Sequence, residues 1–130
     1  AFALEKAPGY KDLGIIVLDS IGSGEKLAIA TRDGTILRQR TSTKLNSILR
    51  AVLPKAGSYW FTHKSADHLP FLQAGIMATT LISQGEHDHD HTMNDTFEAL
   101  NTQALTEHTE GILKAIEYAN SSWFSIKSDN

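Results

Sequence analysis

"LGIIVLD", residues 13–19, is an unbroken apolar run closed by a carboxylate. Residues apolar at every position, rather than at every second one, predict a strand buried on both faces, as in a parallel sheet. The aliphatic stretch Ile15-Ile16-Val17-Leu18 is far shorter than the roughly 20 residues that span a bilayer. Asp19 falls at the end of this strand. A carboxylate next to four aliphatic side chains is costly to desolvate unless something meets its charge. Three partners are open to it: a helix N-terminus, a Lys or Arg, or a bound cation.

Outward from this strand, the chain alternates between the two periodicities of regular structure. "KLAIAT-RDGT-ILRQ" (26–39) places two β-rich runs around Asp33-Gly34, a hairpin signal. "TSTKLNSILRAVLP" carries Leu45, Ile48, Leu49 and Val52 at i, i+3, i+4 and i+7, with Ser42 or Thr43 to cap it and Pro54 to stop it. "SYWFT" (58–62) is a short aromatic strand, and "DHLPFLQAG" (67–75) a short helix closed by Gly75. "IMATTLIS" (76–83) is a second buried strand. A long helix is expected from Thr102 to Asn120, with Leu105, Ile112, Ala115, Ile116 and Ala119 as its apolar stripe and Glu107 and Glu110 near its positive end. The pattern predicts one α/β domain over residues 1–130, with a largely parallel or mixed sheet flanked by helices. In such sheets, sites gather beyond the carboxyl ends of the strands. Asp19, Asp67-His68 and the stretch after residue 83 all fall there.

Composition narrows the function classes. The chain has 130 residues, is 41% hydrophobic and 21% charged, and carries a net charge of −3, with Lys and Arg scattered. This gives no electrostatic footprint for nucleic acid. No cysteine is present, which removes disulfides, thiolate metal sites and cysteine nucleophiles. Ser20, Ser23 and Ser65 lack the G-x-S-x-G setting of a serine hydrolase.

"GEHDHDHTMNDT" (85–96) packs His87, His89 and His91 into five positions. In extended backbone such residues point to one side, and neutral imidazole is a common zinc ligand. A solvated polar loop accounts for the same composition. Asp67 reads either as a helix cap or as a site carboxylate. His68 reads as a packed, hydrogen-bonding side chain. Asp95 and Glu98 have the spacing of a capping box. Trp60, Trp123 and Phe124 read as core or edge aromatics.

Taken together, "VLDSIG" (17–22), "DHLPFLQAGI" (67–76) and "HTMNDT" (91–96) resemble the C-terminal half of the zinc-dependent aminopeptidases of metallopeptidase family 28, glutaminyl cyclase relatives included. That family shows L-D-x-I-G after a strand, then S-D-H-x-x-F, then a strand, H-T-x-x-D-T and a long helix. The resemblance covers about residues 10–120. It implies that His91 and Asp19 are metal ligands and that Asp67 is a supporting carboxylate near the active centre. His68, His87 and His89 would stand beside the metal or face the substrate. The cofactor implied is zinc, one or two ions in a complete enzyme, and the substrate a peptide with a free N-terminus.

Two departures from the pattern stand out. Ala66 replaces the family's usual Ser, or Asp in the cyclases. The His-x-Asp and Glu-Glu pairs that the resemblance would place upstream are absent. Zinc takes about three or four protein ligands, and hydrolysis needs a positioned base. The expectation is therefore a C-terminal piece of a longer exopeptidase, inactive alone and open to self-association along an exposed sheet edge. The chain's start at Ala1, without methionine, fits that expectation. The alternatives are a glutaminyl cyclase-like aminoacyltransferase and a non-catalytic α/β metal-binding or assembly module.

Overall fold

A computed structural model describes residues 13–34, 39–62, 66–84 and 92–125. Strand β1 (Gly14–Asp19) is followed by β2 (Lys26–Asp33) and the two-residue β3 (Gln39–Arg40). Helix α1 (Thr43–Val52), strand β4 (Gly57–Phe61), helix α2 (Leu69–Gln73) and strand β5 (Met77–Gln84) come next. A 3-10 turn (Phe97–Ala99) leads into the long helix α3 (Thr102–Ser125).

The sheet is mixed. β1 runs parallel to β5, and β4 parallel to β2, while β2 is antiparallel to both β5 and β3. The β2–β3 pairing agrees with the hairpin expected at Asp33-Gly34, and Gly34 takes φ +81. Residues 35–38 of the expected second run lie outside the described residues.

Two cores form, one on each face. On the first, Leu27, Ile29 and Leu81 pack against Leu49 of α1 and Ile112 and Ala115 of α3. On the second, Ala28, Ala30 and Ile82 meet Phe61 and Ala66. Ser42 caps α1, its Oγ accepting from the Leu45 amide at 3.3 Å, and Gly75 closes the α2 region with φ +76.

Three expectations need correction. β1 is not buried on both faces. It is the edge strand among the described residues, and Leu18 is 47% exposed. The strands buried on both faces are β2, expected only as an arm of a hairpin, and β5, expected as a buried strand. The stripe of α3 is also rotated: Ala104 and His108 are buried, while Ile116 is 48% exposed. Finally, Thr96 rather than Asp95 occupies the cap position, and it precedes only the 3-10 turn. Glu98 is held below the usual carboxylate range by its own amide and the Thr96 hydroxyl. The cap of α3 is Asn101, whose Oδ1 accepts from the Ala104 amide at 2.9 Å.

Candidate functional site

Because β1 and β5 are parallel, their carboxyl ends share one rim of the sheet, with Asp19 beside Ile82. Residues in register point to the same side, so Asp19 emerges with Ile82 on the second face. The chain turns sharply after it. Ser20 has φ +47, a left-handed conformation uncommon outside glycine, and its carbonyl accepts from the Ser23 amide and hydroxyl at 3.2 and 2.8 Å. The Ser20 hydroxyl donates to Asp19 Oδ1 at 3.1 Å. Among the described residues no Lys or Arg pairs with Asp19, and it caps no helix.

His68 lies on the same face with no solvent exposure. Nδ1 is 2.7 Å from the Thr80 hydroxyl, and Nε2 is 3.4 Å from Asp33 Oδ2 without hydrogen-bond alignment. Burial lowers its pKa, opposed by the carboxylates of Asp33, Asp19 and Asp67 in that order. Burial prevails, so the ring is held neutral. With Asp33 able only to accept, the proton belongs on Nε2, and Thr80 donates to Nδ1. Three carboxylates thus stand close enough for their fields to reach one imidazole, and Asp67 is the exposed one. Hydroxyl, imidazole and carboxylate have the composition of a nucleophilic relay, but Thr80 and His68 are both inaccessible.

Asp33 reaches His68 because of a β-bulge. Ala30 pairs with Tyr59 and Arg32 with Trp60, so Thr31 is an extra residue that resets the alternation. Asp33 then pairs with Phe61 on the second face, and Arg32 turns to the first. Sequence pattern assigned Asp33 only to a turn and left the bulge unseen. Ala66, where the family pattern has Ser, is buried in the second core.

His87, His89 and His91 lie outside the described residues. The chain before them ends at Gln84, two residues past Asp19's neighbour Ile82. After them it is back beside Asp19's loop at Asn101, whose amide donates to the Gly22 carbonyl at 3.0 Å. That loop is gripped again by His108, whose ring nitrogens face the carbonyls of Ile21 at 2.7 Å and Glu25 at 3.3 Å. A cavity of about 700 Å³ lies between α1, α3 and the start of β2, and neither Asp19 nor Asp67 lines it.

The model of Peptidase family M28 matches residues 1–116. The chain belongs to peptidase family M28. No curated protein and no solved structure matches it significantly. M28 membership places the chain among metallopeptidases, hydrolases that are generally zinc-dependent. The donor type fits zinc at Asp19, whose second carboxylate oxygen has no hydrogen bond among the described residues. The donor number does not. No group of three His, Cys, Asp or Glu side chains able to hold an ion occurs among the described residues.

Proposed function

We propose that this M28 chain is part of a zinc-dependent exopeptidase that removes N-terminal residues from peptides, with Asp19 and His91 as its metal ligands. The observation that carries the reading is Asp19 itself. It is a half-buried carboxylate at the carboxyl rim of the parallel pair β1 and β5, and among the described residues no Lys or Arg pairs with it. Support for His91 comes from the chain leaving this rim at Gln84 and returning to Asp19's loop at Asn101.

Zinc, when bound, supplies the Lewis acidity for attack on a peptide carbonyl. The chain's own residues do the rest. Asp19 offers a carboxylate oxygen, oriented by the Ser20 hydroxyl. Asp67, exposed on the turn before α2, would attract the substrate's terminal ammonium group. Neutral His68, fixed by Thr80 and Asp33, anchors that turn from below. The remaining ligands and the general base would come from polypeptide outside the described residues.

Isothermal titration with zinc tests the ligand assignment. Asp19→Asn and His91→Ala should each weaken binding at least about tenfold, since each removes one of very few ligands. His87→Ala and His89→Ala should leave it within about twofold. If only the latter pair matters, the bound zinc sits on a surface chelator and the assignment fails. The chain alone should not hydrolyse aminoacyl-nitroanilides, because no base is positioned. Robust turnover would falsify the incomplete-site reading.

A further inference from the structure

The carboxyl end of β2 carries opposite charges on its two faces. β2 is antiparallel to β5, so its carboxyl end lies away from Asp19's rim. There the bulge at Thr31 turns Arg32 onto the first face, its guanidinium carbon 6.0 Å from the Trp60 ring centroid. Arg40 of β3 stands directly opposite Arg32 in the antiparallel ladder. Like charges directly opposite one another destabilise a sheet unless something neutralises them.

Helix α1 supplies the facing wall. Beside its apolar stripe runs a polar one, Thr43, Asn46, Ser47 and Arg50, again at i, i+3, i+4 and i+7. A cavity of about 290 Å³ lies between this stripe and the strands, lined by Arg32, Arg40 and Arg50 together with hydroxyl and amide side chains. Among the described residues no carboxylate lines it and none pairs with the three arginines. The floor is rigid. Asn46 is buried and donates to the Ala30 carbonyl and the Thr41 hydroxyl at 3.0 and 2.9 Å. Arg50 is held in place, donating to the Ser58 hydroxyl at 2.8 Å, and keeps further N–H groups free. The first turn of α1 contains no acidic residue.

We propose that this groove binds a small tetrahedral dianion of the phosphate type. Three guanidinium forks from three separate backbone segments suit an oxyanion that can accept from several directions, and Arg matches phosphate with paired donors. A cavity at the small end of ligand sites, which run from about 300 Å³ upward, suits an ion of that size. The site lies apart from the candidate metal centre and does not depend on the peptidase reading.

The test is thermal unfolding and titration calorimetry of the chain with inorganic phosphate, against chloride and acetate at matched ionic strength. Phosphate at a hundred times its dissociation constant should raise Tm on the order of 10 °C, and the controls should not. Arg40→Gln should weaken phosphate binding at least about tenfold. Without phosphate its Tm should equal or exceed that of the unsubstituted chain, because the Arg32 repulsion is relieved. If Arg40→Gln does not fold, Arg50→Lys, which keeps charge but loses the fork, should give the same loss of affinity. A phosphate effect no larger than that of chloride would overturn the proposal. So would undiminished phosphate affinity in the folded variant.

Discussion

The two faces of β2 at its carboxyl end form opposite electrostatic environments from adjacent residues. Asp33 joins an acidic neighbourhood on the second face with His68, Asp19 and Asp67, while Arg32 joins Arg40 and Arg50 on the first. On the acidic side the charges act through a fully buried imidazole, where shape and hydrogen bonding are tightly specified. On the basic side the guanidinium groups stand at a partly open groove and lean on solvent. The difference teaches that charge in this fold is set by one extra residue in a ladder. Its energetic weight is set by depth.

That contrast predicts a hierarchy of effects. His68→Ala should cost the most, about 3 kcal/mol, because it removes the Thr80 bond and leaves a hole against Phe61. Urea unfolding checks it, and a cost below about 1 kcal/mol would erase the difference between the two faces. Next comes Asn46→Leu, at about 2 kcal/mol, since it removes a buried amide that donates to the Ala30 carbonyl and the Thr41 hydroxyl and accepts from the Thr79 hydroxyl. Equilibrium denaturation should show it as a lower midpoint with an unchanged m-value.

The pH dependence sharpens the acidic side. His68 has a folded pKa below its ordinary 6.5, so below that pH the unfolded chain binds more protons than the native one. Its contribution is fully present above pH 6.5 and is lost as pH falls below it, by at most about 1.4 kcal/mol per pH unit. His68→Gln should flatten this slope when unfolding is followed from pH 7 to pH 5. The smallest effect belongs to the basic side. Arg40→Glu should stabilise the anion-free chain by about 0.2–1 kcal/mol by turning a repulsive cross-strand pair into an attractive one.

Elements with a clear period were legible in the sequence: the Leu45/Ile48/Leu49/Val52 stripe, the run ending at Asp19, and the β-branched strand after Gly75. What escaped has a common cause. Asn46, Thr79, Thr80 and His108 are buried polar groups whose partners lie many residues away, and no local pattern announces a satisfied hydrogen bond. The place of β1 escaped because an aliphatic run does not say how many neighbours a strand has. Asp33 escaped because a bulge breaks the period-two rule on which strand reading rests. Of the candidate site, Asp19, Asp67 and His68 were found as residues, but their common setting around one imidazole needed tertiary structure.

The loop that follows Asp19 has its own lesson. Its carbonyls at Ile21, Gly22 and Glu25 are taken up by His108 and Asn101, up to 87 positions downstream. Contacts this distant in sequence are closed late, at the entropic expense of a long intervening loop. During vectorial synthesis, then, the carboxylate would emerge early and stay loosely held until α3 had left the ribosome and docked. Acquisition of metal would be tied to the last events of folding.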